Sequence, residues 1–330
     1  IAKAFDQIEA SWPEGPVPCN FFTAFGLAAL MLFKAEKVDV IVVEAGIGAR
    51  YDFCNAFAHD LAIITNVALD HEDLLGDLDS IALNKAEIIH QADQVVIGDQ
   101  SPHPRMLDRI EAVGADAWML GRDFHMTSSG ETWSCVLPDQ PDVTLPKMTL
   151  HPNNVITAIA AFYRLFKDKF QAGSVRQALA SLNLLGRCQY IDEAPKLFLD
   201  VAHNAQGLDN LVEKLTELIA RTKPHRVIAF CGFKESKAVS KGLQALSPLI
   251  DQWCFLTGGI GFYLSEDYQA LHRQNCAKAV TQAALACYAD WDDAWHDIQT
   301  KTTPNDLIVV FGSFQVVGFV LAKTKVSCPS

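Results

Sequence analysis

The sequence predicts an α/β protein of two doubly wound domains, and three observations carry that expectation. Apolar, β-branched runs alternate with amphipathic segments of helical period along nearly all 330 residues, the order that builds mostly parallel sheets covered by helices. The runs VDVIVV (Val38 to Val43) and LAIITNV (Leu61 to Val67) are continuous rather than alternating, which suits strands buried on both faces. The chain also exceeds the usual size of one domain. Its alternation restarts after Asn183, so domains of 1–183 and 184–330 are expected.

The elements follow in order. IAKAFDQIEA opens the chain with an amphipathic pattern that has neither a basic n-region nor a cleavage site. Phe21 to Phe33, the longest apolar stretch, is too short to span a bilayer and contains glycine and threonine, so it reads as a buried helix. The two strands come next, then a helix from Ser80 to His90, the strand QVVIG and a helix from Pro104 to Ala112. Between Gly130 and Pro146 the short β-prone pieces TWSCVL and DVTL suggest a small antiparallel ribbon, followed by helices at Asn154 to Phe166 and Ser174 to Leu182. The second alternation runs strand KLFLDVA, helix Leu208 to Ala220, strand RVIAFCGF, helix Ser236 to Leu246 and strand QWCFL. Two or three helices between Glu266 and Thr300, strand DLIVVFG and helix Ser313 to Ala322 complete it. No G-x-G-x-x-G occurs, so a dehydrogenase-type dinucleotide site has no support.

Composition excludes several function classes. With 39 acidic and 27 basic residues the formal charge is −12, and no Lys/Arg cluster offsets it, so nucleic acid is not an expected partner. The nine cysteines include no C-x-x-C pair and read as reduced core residues of a cytoplasmic protein. No membrane partner is expected, and the chain is expected to act as a monomer.

Chemistry-bearing residues gather at strand ends, where open α/β sheets bind ligands. Glu44 follows VDVIVV and leads into AGIGARYDFCN, whose glycines permit tight turns. That segment is either a ligand loop or an ordinary strand-to-helix connection. His71, flanked by Asp70, Glu72 and Asp73, either ligates metal or belongs to a helix cap. Paired with Glu44 it suits Mg²⁺ or Mn²⁺ beside phosphate groups. Lys85, in IALNKAEII, reads on helix geometry as a surface lysine beside the stripe Ile81, Ile88 and Ile89. Asp200 closes the strand KLFLDVA, and His203 and Asn204 open the next helix, a place suited to a ribose or phosphate or simply to an N-cap. The segment VVFGSFQVV repeats this arrangement at Ser313.

Read together and in this order, VDVIVVEAGIGARYDFCN, AIITNVALDHEDLLGD with IALNKAEII, the NN-x-x-TA segment at Asn153, LLGRCQYI, FLDVAHN and DLIVVFGSF resemble the folylpolyglutamate synthase/dihydrofolate synthase family of ATP-dependent amide ligases, which is related to the Mur ligases. The resemblance implies a Mur-ligase-like central ATPase domain and a Rossmann-like carboxy-terminal glutamate ligase domain. It implies addition of L-glutamate to dihydropteroate or a reduced folate, with ATP and Mg²⁺. In that chemistry ATP phosphorylates the acceptor carboxylate, glutamate's amine attacks the acyl phosphate, and a cleft between domains keeps water away.

Residue by residue, the resemblance makes Glu44 and His71 magnesium ligands and Lys85 a carbamylated lysine that helps to hold a second divalent ion. It places Asn20, Phe21, Phe22, Thr23, Tyr51, Asp52 and Phe53 at the pterin substrate. Asn154, Arg187, Asp200 and Lys237 fall on nucleotide-binding positions, with Asp200, His203 and Lys85 as the residues closest to the chemistry. The chain departs from the family pattern at Ala49, Phe53, Cys54, Glu87 and Thr23. The family's glycine-rich phosphate loop, G-T-N-G-K-G-S, is expected upstream of Ile1. These 330 residues alone are therefore expected to bind ATP weakly and to form no amide. Two rivals are a degenerate, non-catalytic ligase-like protein and a Mur-type ligase for another carboxylate. A third, a metal-dependent hydrolase, would require Asp70, His71, Asp200 and His203 to converge in one site.

Overall fold

The computed structural model describes residues 1–12, 15, 19–70, 72–90, 94–182, 184–233, 239–258 and 284–324. They divide into two units: 1–127 with 135–143 and 156–170, and 128–134 with 144–155 and 171–330.

The first unit begins with helices α1 (Ala2–Ala10) and α2 (Phe21–Glu36). Asn20 starts α2 by accepting the Thr23 N–H on its side-chain oxygen at 2.8 Å, as an N-cap does. There follow β1 (Leu61–Ile64), α3 (Glu72–Leu75), α4 (Leu78–Ala86), β2 (Gln94–Ile97), α5 (Pro104–Val113) and β3 (Asp116–Met119). The three strands form a parallel sheet in the order β1-β2-β3, in register from Leu61↔Gln94 and Gln94↔Asp116. Pro104 sits in the first turn of α5 and Gly114 ends it with φ 67°, the usual asymmetry of helix ends. Ala62, Ile64, Val95, Ile97, Ala86, Ile89, Met106 and Ile110 pack into one core between sheet and helices.

Two expectations are corrected here. Val38 to Val43 forms no strand and joins no ladder among the described residues. Its side chains are open to solvent, Val42 at 88 %. A β-branched run supplies propensity, but burial needs a neighbouring ladder, and β1 pairs only with β2. The helix at Phe21 forms, yet among its residues only Gly26 and Ala28 are buried, while Phe21, Phe22, Phe25, Leu27 and Phe33 are exposed. Apolarity all round a helix signals what burial would favour, not what covers it.

A three-stranded sheet of β4 (His125–Ser129), β5 (Thr132–Val136) and β6 (Val143–Pro146) takes the place of the expected ribbon, and α6 (Pro152–Leu165) and α7 (Ala172–Ala180) follow.

The six-stranded sheet of the second unit contains β7 (Gln189–Ile191), β8 (Lys196–Leu199), β9 (Val227–Cys231), β10 (Gln252–Leu256), β11 (Ala284–Tyr288) and β12 (Leu307–Phe311), in the order β11-β10-β9-β12-β8-β7. All pairings are parallel except β7 with β8. Helices α8 (Ala205–Thr222), α9 (Ser240–Leu246), α10 (Trp291–Lys301) and α11 (Phe314–Thr324) complete it. Because strand side chains alternate, Val227, Ala229, Cys231, Leu307, Val309 and Phe311 join a core with Leu208, Leu211, Leu215 and Leu218 of α8. Ile228, Phe230, Ile308 and Val310 join the opposite core with Trp295, Ile298, Val316 and Val320.

Four strands escape the sequence reading: β3, β4, β7 and β11. ALACY at 284–288 was assigned to a helical stretch, and QYI at 189–191 is a short antiparallel edge strand. Of the expected helices between Glu266 and Thr300, 259–283 lie outside the described residues; α10 begins only at Trp291. Among the described residues no helix is long and apolar enough to cross a membrane, and the seven described cysteines form no disulfide.

Candidate active site

In the first unit the loop after Val43 is shaped by its own side chains. Asp52 accepts the Gly46 N–H on Oδ2 at 2.9 Å and the Cys54 N–H on Oδ1 at 3.0 Å, so both its oxygens serve the turn. The neighbouring Cys54 thiol is pushed up to about 12 by burial and by the Asp52 carboxylate. It is an inert core group. Phe22 packs edge-on against Phe53, with ring centroids 5.5 Å apart. A Cβ on Gly26 would lie 2.4 Å from the Phe53 ring, and one on Gly46 would lie 2.9 Å from Phe22. Two glycines thus admit two phenylalanines. Glu44, Phe22 and Phe53 line one groove with Phe25, Phe33 and Val42. Tyr51 is exposed on the same loop. The structure therefore brings Phe22, Phe53 and Glu44 together, with Asp52 beneath them; Asn20, Phe21 and Thr23 form the first turn of α2.

Lys85 corrects the geometric reading that put it on the surface. It lies on the last turn of α4, one turn after Ile81, which is fully buried, so the two share one face of the helix. Its amine donates to the Asn66 carbonyl at 3.1 Å. Burial lowers its pKa below the ordinary lysine value, against the opposing pull of Asp70 and Asp99. His71 lies outside the described residues, as does Lys237.

In the second unit, Asp200 and His203 stand at the carboxyl end of β8, next to β12 in the sheet. Asp200 is buried and accepts three donors: the Cys188 N–H at 2.8 Å, the Cys188 thiol at 3.2 Å and the Ala202 N–H at 2.7 Å. It holds the Gly186 to Cys188 turn, where Gly186 has φ 66° and a Cβ would lie 2.7 Å from Val317. A hydrolase needing Asp200 as a metal ligand loses that carboxylate to the backbone. The turn presents Arg187, whose guanidinium lies 5.5 Å from the centre of the exposed Phe314 ring, a cation–π arrangement. His203 places Nδ1 2.8 Å from the Val201 carbonyl, and its ring centroid is 6.3 Å from that of Phe314. Donation from Nδ1 leaves Nε2 as the acceptor of the neutral ring.

Asn204 is the N-cap of α8 and Ser313 caps the Val316 N–H at 3.2 Å. Gly312, at φ 106°, lets the loops after β12 and β9 touch, since a Cβ would lie 2.4 Å from the Gly232 carbonyl. Asn154 is exposed at the first turn of α6.

Sequence reasoning missed Phe314, although it follows the glycine turn of VVFGSF. It also missed Asn84, whose amide oxygen accepts the Ala49 N–H at 2.8 Å and the Arg50 N–H at 3.2 Å.

Two family models match this chain, the Mur ligase middle domain over residues 7–129 and the Mur ligase glutamate ligase domain over residues 186–314. The fold is thus that of a Mur-type ligase. A dihydrofolate synthase/folylpolyglutamate synthase of Haemophilus influenzae is 30 % identical over 90 % of this chain and 71 % of its own length. The Escherichia coli FolC structure in complex with DHPP and ADP is 27 % identical, with a TM-score of 0.84 over 98 % of this chain and 74 % of that one. A bifunctional folylpolyglutamate synthase/dihydrofolate synthase of Yersinia pestis, complexed with AMPPNP and Mn ion, is 29 % identical, with a TM-score of 0.82 over 98 % and 75 %. The chain belongs to the dihydrofolate synthase/folylpolyglutamate synthase family.

Proposed function

We propose that this protein is an ATP-dependent amide ligase that adds L-glutamate to dihydropteroate, to reduced folates or to both, through an acyl phosphate. The observation that carries the reading is the likeness, over 98 % of the chain, to a synthase bound to DHPP and ADP. A carboxylate does not accept an amine until it is activated, and activation by ATP puts dense negative charge on the transferring phosphoryl group.

In this reading Arg187 meets that charge, held in place by Asp200 beneath its turn and by Phe314 beside its guanidinium. Asn154 and Lys237 belong with Arg187 at the nucleotide. His203 Nε2 takes the proton that glutamate's ammonium must shed before attack. Asn20, Phe21, Phe22, Thr23, Tyr51 and Phe53 face the acceptor's aromatic body, while Asp52 keeps their loop in shape. Only an uncharged amine adds carbon dioxide, so the burial that lowers the Lys85 pKa favours its carbamylation.

Glu44 and His71, with oxygen donors around Lys85 such as Asp70 and Asp99, are the hard ligands that suit Mg²⁺. A divalent ion there would offset phosphate charge. Domains of 1–183 and 184–330, a monomeric state and a cytoplasmic location, in keeping with cysteines that form no disulfide among the described residues, complete the proposal.

Phosphate release from Mg-ATP by the full-length protein tests it, with dihydropteroate and tetrahydrofolate as competing acceptors. Release that requires both L-glutamate and one of these acceptors is expected. Release indifferent to both acceptors would point to another carboxylate substrate, and none at all would leave the degenerate ligase-like protein.

A further inference from the structure

The Glu44 to Asn55 loop is anchored from outside as well as from within. Asn84, on α4 immediately before Lys85, accepts two successive backbone N–H groups of that loop on one oxygen, Ala49 at 2.8 Å and Arg50 at 3.2 Å. The fit leaves no slack: Gly48 has φ 65°, and a Cβ there would lie 2.1 Å from the Asn84 oxygen. A second tie runs from His90 Nε2 to Asn55 Oδ1 at 2.7 Å, and Asn55 donates to the Arg50 carbonyl at 3.4 Å. Ala49 is buried beneath the turn. What the loop turns outward is Arg50 and Tyr51, the guanidinium 5.4 Å from the ring centre and Tyr51 86 % exposed.

We propose that Asn84 is a positioning residue for the acceptor substrate. Its amide oxygen locks the Gly46 to Asp52 turn onto the helix that carries Lys85, so that Arg50 and Tyr51 meet a planar, carboxylate-bearing acceptor in one arrangement. An exposed loop left to itself is an ensemble, and ordering it at the moment of binding costs affinity. One oxygen serving two adjacent N–H groups removes that cost beforehand, in the manner of supporting contacts that preorganise a site. Because the anchor is the residue before Lys85, the turn and the Lys85 amine share one rigid base. The inference rests on the reading of Tyr51 as acceptor-facing.

The experiment compares Asn84→Ala, which removes the acceptor oxygen, with Asn84→Asp, which keeps it. Hydrogen exchange of the Ala49 and Arg50 amides is expected to speed up at least about tenfold in the alanine variant and to stay near wild type in the aspartate variant. In steady state, the alanine variant is expected to raise the acceptor KM by roughly tenfold, with KM for ATP and for glutamate within about twofold, and Asn84→Asp is expected to restore it. Asn84→Ser, whose oxygen is too short to reach, repeats the test should the alanine variant fail to fold. Unchanged exchange, an unchanged acceptor KM in an active enzyme, or an aspartate variant as impaired as the alanine one overturns the inference alone. Accelerated exchange in a protein whose wild type turns over neither acceptor overturns the proposed function and this inference with it.

Discussion

Two segments of nearly the same composition meet opposite fates. LIVVF at 307–311 is the β12 strand, paired on both sides and buried at every position. VDVIVV at 38–43 joins no ladder among the described residues and is open to solvent along most of its length. Both have the β-branched run that marks a strand covered on two faces. What separates them is the company each keeps. β12 lies between β8 and β9 with helices feeding a core on each face. The first sheet offers β1 as an edge, with Ile63 exposed between buried Ala62 and Ile64. Pattern sets what a segment can bury, and the ladder beside it sets what it does bury.

The sharpest way to break this comparison is to put the same charge into both runs. Val309→Asp places a carboxylate where nothing can solvate it and is expected to cost more than about 4 kcal/mol, enough to unfold the second unit. Val42→Asp, at a side chain 88 % exposed, is expected to change stability by no more than about 0.5 kcal/mol. Urea unfolding of the two variants reads the difference. A large loss at Val42 would show that the segment is covered in solution.

The same contrast says what the sequence could tell. The alternation around RVIAFCGF and DLIVVFG, the helix from Leu208 and the helix from Pro104 to Ala112 are legible because local pattern and burial agree there. ALACY was not, because a short apolar run among helical patterns carries no period of its own. Asp200 and His203 were visible as polar residues closing an apolar run. Asn84 was hidden, because an asparagine in mid-helix says nothing of two backbone N–H groups that lie 35 and 34 residues earlier in sequence. On helix geometry Lys85 reads as surface although it follows Ile81 by four residues, since an inward lysine runs against the usual cost of burying charge.

A middle-sized effect belongs to the amino ends of β9 and β12. Asp306, fully buried, accepts from Arg226 Nη2 at 2.7 Å and from the Thr303 N–H at 2.8 Å. Burial alone would push its carboxyl up, but the Arg226 hydrogen bond, the Thr303 backbone bond and the guanidinium charge outweigh that and hold it at about 2. Arg226 is a third exposed, so Asp306→Asn is expected to cost about 2 kcal/mol, less than breaking a wholly buried pair. Since the unfolded chain binds the proton more tightly, this stability is complete above about pH 4 and is lost as pH falls through the folded value near 2. The gap between wild type and Asp306→Asn, followed by urea unfolding from pH 6 to pH 2, is expected to close only at the acid end; a gap independent of pH would remove the ion pair from the account.

A stability effect smaller than that at Asp306 is expected at Lys85, and its sign is opposite. Asp306 is a charge the fold favours, whereas Lys85 is a charge the fold tolerates: burial lowers its pKa, and Asp70 and Asp99 recover only part of the loss. The folded state therefore binds the Lys85 proton less tightly than the unfolded chain does. The resulting penalty is fully present below the folded pKa, and it disappears as pH rises past the ordinary lysine value near 10.5. Lys85→Met keeps an apolar stem one turn after Ile81 and removes the charge, so at pH 7 it is expected to be neutral or stabilising by up to about 1 kcal/mol. The advantage over wild type is expected to shrink as the buffer is taken above pH 10. Glutamate ligation, by contrast, is expected to fall by roughly a hundredfold or more, because a methionine cannot carry a carbamate. Denaturant unfolding and phosphate release measured on the same preparation separate the two: a stabilised but inactive variant fits an amine kept buried for its chemistry, and a variant that loses stability while keeping its turnover would return Lys85 to the ordinary structural lysines.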